Sequence, residues 1–252
     1  MTRKIVLITG GSRGLGKNSA LKLAKKGSDI ILTYHSKQQE AQAVVEKIHA
    51  LGARAVALQL DVSDSSSFDA FATEVSHKLK TVWQRNNFDA LLNNAGIGIH
   101  ASFEETSEAQ FDQLVNIQFK GPFFLTQKLL PLLANGGRIL NVSSGLARFS
   151  LPGYSAYAAM KGAMEVLTRY QAKELGARGI AVNIIAPGAI ETDFGGGAVR
   201  DNSQLNAFIA SQTALGRVGL PDDIGDAIAM ILSDESGWIN AQRIEVSGGM
   251  FI

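Results

Sequence analysis

Tyr157 and Lys161 stand four residues apart in Ser155-Ala156-Tyr157-Ala158-Ala159-Met160-Lys161, a stretch that reads as helix, so the two side chains share a face. A phenol with an ordinary pKa of about 10 exchanges protons poorly at neutral pH. A neighbouring ammonium favours the phenolate and lowers that value; the tyrosine can then give a proton to a carbonyl oxygen or take one from an alcohol. Ser144 follows an aliphatic run and offers a hydroxyl that can hold the same oxygen as charge develops on it. Asn116 lies on the long helical stretch before that run. Taken alone, the pair reads more readily as an ordinary pair on the solvated face of an amphipathic helix, because Tyr and Lys at this spacing recur by chance. Ser143 competes with Ser144, and the spacing to Tyr157 favours Ser144.

A second constellation opens the chain. Ile5-Val6-Leu7-Ile8 runs into Thr9-Gly10-Gly11-Ser12-Arg13-Gly14-Leu15-Gly16. Glycines here permit a sharp turn, close approach of backbone to a pyrophosphate, and tight packing of the next helix on the strand. The free N–H groups and positive end of that helix attract phosphate. The spacing is G-x-x-x-G-x-G, which a purely structural βα turn could also use. A nucleoside-triphosphate loop is the competitor: Gly11 to Lys17 nearly fits G-x-x-x-x-G-K-[ST], but Asn18 stands where a magnesium-binding hydroxyl is required.

The elements that must position these groups alternate. Strands are predicted at 4–9, 29–34, 54–60, 88–93, 137–143, 180–185 and 243–246. Helices are predicted at 14–27, 37–51, 65–85, 108–134, 154–178, 203–215 and 221–233. Continuous apolar strands between helices imply a parallel sheet covered on both faces, a Rossmann-type doubly wound α/β fold. With no linker, repeat or charge block, one domain over 1–252 is expected, its cofactor half about 1–140 and its catalytic half about 141–252. Ligands in such a sheet bind beyond the carboxyl ends of the strands, which directs attention to 10–16, 34–37, 61–62, 93–99, 143–151 and 186–200. Composition excludes other classes. The chain has no cysteine, hence no disulfide or thiolate metal site, and no metal site of other ligands is expected. A net charge of +1 favours neither nucleic acid nor membrane. No apolar stretch reaches the roughly 18 residues of a spanning helix, and the first apolar run is too short for a signal-peptide core. A cytoplasmic location is the expectation.

In their order and spacing, Thr9-Gly10-x-x-x-Gly14-x-Gly16, Asn93-Asn94-Ala95-Gly96, Asn116, Ser144 and Tyr157-Ala-Ala-Met-Lys161 resemble the short-chain dehydrogenase/reductase family. Pro187-Gly188-Ala189-Ile190-Glu191-Thr192 and the ending Val246-Ser247-Gly248-Gly249 also look familial, so the resemblance spans essentially the whole chain. It implies an oxidoreductase that moves a hydride between a nicotinamide dinucleotide and a carbonyl or alcohol carbon. Tyr157 is then the acid/base. Lys161 would hold the nicotinamide ribose and lower the tyrosine pKa, Ser144 would polarise the substrate oxygen, and Asn116 would hold a water of a proton relay. Gly10, Ser12, Arg13, Gly14, Leu15 and Gly16 would cradle the pyrophosphate. Asp61 and Val62 would contact adenine, Asn94, Ala95 and Gly96 the nicotinamide ribose, and Pro187, Gly188, Ile190 and Thr192 the carboxamide side. Family members are usually homotetramers, here through the helices at 108–134 and 154–178.

No acid follows the second strand before Glu40, where an NAD-binding site of this fold would place one for the ribose 2′-hydroxyl. Arg13, Ser36 and Lys37 suit a 2′-phosphate instead, so NADP(H) is expected over NAD(H). Ile97, Leu146, Phe149, Leu151 and Phe194 would give the substrate apolar walls, fitting a small hydrophobic ketone or alcohol. Gly195-Gly196-Gly197 reads as a lid hinge or a surface loop. One branch of the family, the 3-oxoacyl-carrier-protein reductases, has basic residues just before Gly137-Arg138-Ile139 to receive an acidic carrier. This chain has none at 131–137, though Arg178 matches a carrier-contacting position. A catalytically silent NADP-binding regulator is the alternative of another class, and the intact polar constellation argues against it.

Overall fold

The computed structural model describes residues 3–252; Met1 and Thr2, where the expected domain begins, lie outside the described residues. Seven strands form one all-parallel sheet: β1 (Ile5–Ile8), β2 (Asp29–Tyr34), β3 (Ala55–Gln59), β4 (Phe88–Asn93), β5 (Leu133–Val142), β6 (Ala181–Pro187) and β7 (Arg243–Val246), in the spatial order β3-β2-β1-β4-β5-β6-β7. The helices are α1 (Gly14–Lys25), α2 (Gln38–Ala50), α3 (Phe68–Trp83), α4 (Glu108–Val115), α5 (Gly121–Leu129), α6 (Ser155–Leu175), α7 (Ala198–Asp201), α8 (Ser203–Ser211) and α9 (Pro221–Ile231).

The two-residue alternation of a strand divides the core. Val6, Ile8, Ile30 and Leu32 pack beneath α1, α2 and α9, whereas Ile5, Leu7 and Ile31 face the side carrying α3, α5 and α6. Burying both faces explains why β1 and β2 read as unbroken apolar runs. Because β1 neighbours both β2 and β4, the order reverses at β1, and the turns leaving β1 and β4 open side by side.

Two expectations are corrected. The single helix at 108–134 is three pieces: α4, a wider turn of i→i+5 type over Asn116–Lys120, and α5, which gives way to a tight turn at Leu130–Leu132. Pro122 has no N–H for the carbonyl four residues back, so the regular ladder fails there, and Pro131 ends the helix. The fifth strand begins at Leu133 rather than at 137, with a register shift between Phe88 and Ala90 where Gly136 takes a positive φ of 75°.

The closed end of β2 holds a buried acid. Asp29 is fully buried and accepts from the Arg54 amide (2.8 Å), Arg54 Nε (3.0 Å) and Trp83 Nε1 (2.8 Å), tying β2 to β3 and α3. Asp29→Ala orphans these donors and is expected to cost about 3 kcal/mol, lowering the melting temperature by about 6–12 °C. A shift under about 2 °C in a thermal melt would show that the carboxylate is not a structural tie.

Candidate active site

The glycine turn is locked from both neighbouring strands. Gly10 and Gly14 have φ of 66° and 53°, a region costly for any residue with a side chain. A Cβ on Gly16 would collide with the Gly10 carbonyl. The Asn94 amide donates to the carbonyls of Thr9 (2.9 Å) and Gly10 (3.1 Å), and Thr9 Oγ1 accepts from the backbone of Asn94 and Ala95, both at 3.0 Å. On the other side Thr33 accepts from the Gly10 and Gly11 amides. Arg13, at the start of α1, makes no side-chain cap, so the first-turn N–H groups of Gly14, Leu15 and Gly16 keep their capacity for an anion. A cradle that admits no side chain and ends on uncapped amides fits a dinucleotide pyrophosphate.

Around this cradle the expected contacts fall along one edge of the sheet. The Val62 carbonyl lies where a Cβ on Gly121 would strike it, so the broken helix passes directly against the loop after β3. Asp61 accepts from the Ser63 amide (2.8 Å) and hydroxyl (2.7 Å) and lies 3.4 Å from His35. Burial pushes its carboxyl up, but the Ser63 bonds and His35 outweigh this and hold it below the ordinary range. Arg13, Ser36 and Lys37 are all exposed, and Lys37 precedes α2 without capping it. Past β6, the Gly188 amide donates to Val246 (3.0 Å), Ile190 pairs with Gly219, and buried Thr192 stands against Gly14.

The catalytic candidates meet at the ends of β5 and α6. Tyr157 and Lys161 are buried, 7% and 5% exposed. Lys161 Nζ donates to the Val142 carbonyl at 2.9 Å and lies 5.5 Å from the centre of the Tyr157 ring. Ser144 is near enough to draw the Tyr157 phenol down, and its Oγ accepts from the Leu146 amide (3.2 Å). A polar ladder holds α6 on the sheet. Asn93 donates to Asn141 (2.9 Å) and Thr126 (3.0 Å), and Asn141 donates to Thr168 (2.9 Å) and Gln171 (3.0 Å).

The electrostatics differ from expectation. Burial pushes the Tyr157 phenol well above the usual tyrosine range, against the pull of Ser144, and Tyr154 adds to the rise. Burial also pushes the Lys161 ammonium down to about 7. The phenol was expected to be lowered by Lys161; the cost of placing a phenolate in the interior governs it instead. At neutral pH Tyr157 is therefore a neutral phenol, the form that donates a proton.

Asn116 opens the wide turn that leads into α5. Its carbonyl accepts from the Gly121 amide within the wide turn, and the amide that reaches the loop after β4 is Gln118. Gln118 is 2% exposed; its Nε2 donates to the Ile97 carbonyl, its side chain packs on Gly96, and its Oε1 is buried without a partner among the described residues. The sequence signal for this was Gly121-Pro122, which breaks the helix just past it. Of the expected walls, Phe194 stacks 6.1 Å from Tyr157 and covers Gly98. Leu146 and Leu151 are half-buried on the loop leading to α6. Phe149 turns instead to Phe251 (4.7 Å) in a small cluster with Leu205, Ile209 and Met250. Tyr154 and His100, at the ends of two stretches expected to line the substrate side, meet edge-to-face at 4.9 Å. Gly195, Gly196 and Gly197 form a left-handed run with φ of 61°, 74° and 79°. Among the described residues no cluster of three or more metal-binding side chains occurs, and no helix is long and apolar enough to cross a membrane.

Comparison with known proteins agrees with this geometry. The family described as "Enoyl-(Acyl carrier protein) reductase" matches residues 10–251. The hydroxynaphthalene reductase-like protein Arp2 of Metarhizium robertsii is 34% identical over 99% of this chain and 95% of its own. The 3-oxoacyl-[acyl-carrier-protein] reductase FabG of Staphylococcus aureus is 36% identical over 99% of this chain and 98% of its own. Among solved structures, landomycin C-6 ketoreductase LanV with bound NADP and rabelomycin superposes with a TM-score of 0.90 at 33% identity, covering 99% of this chain and 97% of that one. A shared fold over the full length, a phosphate cradle after β1 and a buried Ser–Tyr–Lys cluster after β5 thus coincide in one chain, which belongs to the short-chain dehydrogenase/reductase family of oxidoreductases.

Proposed function

We propose that this protein is an NADPH-dependent ketoreductase that converts a free, apolar ketone into a secondary alcohol. The observation that carries the reading is the neutral, buried Tyr157 phenol, with Ser144 beside it and Lys161 behind it. A nicotinamide held along the cradle supplies the hydride for the carbonyl carbon. Ser144 and Tyr157 hold the carbonyl oxygen, and Tyr157 protonates it as negative charge develops. Lys161 fixes the ribose hydroxyls, while Asn94 to Gly96 and Thr192 form the walls on either side. A regulator without activity would not need this cluster kept whole.

The mouth of the site is aromatic: Phe194 lies against Tyr157, and Tyr154 against His100. Such walls suit a planar aryl ketone. A relative named for a hydroxynaphthalene and an angucycline C-6 ketoreductase with rabelomycin bound point the same way. The carrier-protein alternative loses its remaining contact, because Arg178 is consumed internally. It donates to the Leu130 carbonyl (2.9 Å), the Leu133 carbonyl and Asn135 (2.9 Å), clamping the turn into β5. Docking an acidic carrier needs free positive charge, and 131–137 supplies none. The exposed apolar residues of α5 and α6, Phe123, Phe124, Val166 and Tyr170, are the surface through which this reading places a homotetramer in the cytoplasm.

The test compares kcat/KM for acetoacetyl-carrier protein with a panel of free aryl ketones, diketones and keto-esters, using NADPH. At least one free aryl ketone should exceed the carrier substrate by about tenfold, the discrimination expected when about 1.4 kcal/mol of docking contact is missing. A carrier substrate tenfold better than every free ketone would place the enzyme in acyl-chain elongation instead.

A further inference from the structure

Beyond β5 the chain leaves the sheet. The Ser143 amide donates to the Ile185 carbonyl (2.7 Å), the last tie to β6, and Ser144 then enters a tight turn in which its carbonyl accepts from the Ala147 amide (3.2 Å). Regular structure therefore stops one residue short of the hydroxyl that must meet the substrate oxygen. What holds this point is a chain of four charged side chains contributed by distant segments.

Glu165 lies on α6 one turn after Lys161. Its Oε1 accepts from Ser143 Oγ at 2.6 Å and from Arg243 Nε at 2.6 Å. Arg243, the first residue of β7, reaches over β6: it stands in register with Ile184, which is in register with Asn141, so it spans two strand spacings, about 10 Å. Its Nη2 donates to the Ser144 carbonyl (3.3 Å) and its Nη1 to Glu245 (2.9 Å). Glu245 in turn accepts a two-point contact from Arg148 at 2.8 and 2.9 Å, and Arg148 donates to the carbonyls of Met250 (2.8 Å) and Phe251 (3.1 Å). Carboxylates and guanidiniums alternate, so the chain is formally neutral. All but Arg148 are at least three-quarters buried, with side-chain exposures of 16% for Glu165, 22% for Arg243 and 23% for Glu245, so salt screens them weakly.

We infer that Arg243 is a positioning residue for Ser144: with the Glu165 carboxylate it shares with Ser143, it fixes the strand end so that the Ser144 hydroxyl stays in line with Tyr157 and the substrate oxygen. The inference rests on the assignment of Ser144 made above. A planar guanidinium that bonds a carboxylate, a second carboxylate and a backbone carbonyl at once sets an angle as well as a distance, which a lysine ammonium cannot do. Misplacing a reacting group by about 1 Å can cost on the order of 100-fold in rate, so partial loosening of Ser144 should register clearly in kcat.

The experiment is a double-mutant cycle on the whole enzyme with Arg243→Gln and Ser144→Ala, reading kcat, KM and the NADPH dissociation constant by fluorescence titration. If Arg243 acts through Ser144, Arg243→Gln lowers kcat about tenfold, leaves the NADPH constant within about twofold, and adds less than about twofold once Ser144 is Ala. A kcat within about twofold of wild type, or an equal loss in both backgrounds, would overturn the inference. Should Arg243→Gln fail to fold, Arg243→Lys enters the same cycle. It keeps the charge toward Glu165 and loses the fork, and the same non-additivity is required. A Ser144→Ala enzyme with unchanged kcat would remove the assignment of Ser144 and this inference with it. A large Ser144→Ala effect combined with additivity would remove the positioning role alone.

Discussion

Tyr157→Phe is expected to lower turnover at least about 100-fold while NADPH affinity stays within about threefold, because the lost hydroxyl is a proton donor and not a cofactor anchor. The ring would keep its place against Phe194 and above Lys161, so packing is preserved and the loss falls on chemistry. The pH dependence separates donor from bystander. With the phenol raised by burial, Tyr157 remains protonated throughout the working range and imposes no fall of its own. Lys161 is pushed down to about 7, so its charged form dominates below that pH and is lost above it. Ketone reduction by the wild-type enzyme should therefore decline as pH rises through about 7. Lys161→Ala should weaken NADPH binding as well as turnover and abolish that decline. Steady-state turnover of Tyr157→Phe within about threefold of wild type on a good ketone would exclude Tyr157 as the donor.

The parts of this site that were legible in the sequence are those fixed by local chemistry. Ile5 to Ile8 could only be a buried strand, and the glycines after it could only be a turn whose backbone must be approached closely. Tyr157 and Lys161 share a face because helix geometry requires it. Periodicity could not show the wide turn at 116–120, since a helix interrupted by Gly121-Pro122 keeps its apolar rhythm on either side. Asn116 is legible only through the family resemblance, and nothing local marks Gln118 as the amide that the turn delivers to Ile97. Phe149 was placed in the substrate pocket because it follows β5, yet it packs on Phe251 at the far end of the chain. Arg178 illustrates the same limit. A basic residue at a helix end reads as free surface charge, and only the fold reveals three acceptors waiting for it. Contacts between distant segments leave no local pattern, which is why the Glu165–Arg243–Glu245–Arg148 chain was invisible before the strands were ordered.

The choice of cofactor should yield to two substitutions. The first acid after β2 is Glu40, already within the first turn of α2, so no carboxylate is placed at 35–39 to take a ribose 2′-hydroxyl. Arg13 and Lys37 stand exposed on the glycine turn and before α2, ready to flank a 2′-phosphate, with the Ser36 hydroxyl between them. Hydrogen bonds to charged groups are worth about 1.5–3 kcal/mol each. Exposure argues for the low end, so each contact contributes about tenfold and the pair about 100-fold. Wild-type enzyme should accordingly favour NADPH over NADH by at least about tenfold in kcat/KM. Arg13→Ala combined with Lys37→Ala should lower kcat/KM for NADPH by about 100-fold and change that for NADH by less than about threefold, since NADH has no 2′-phosphate to lose. The preference should also shrink with added salt, because both cations face solvent. Equal or better kcat/KM with NADH in the wild-type enzyme would show that these residues are ordinary surface cations. An equal loss for both cofactors in the double variant would show that they support the turn and do not read the phosphate.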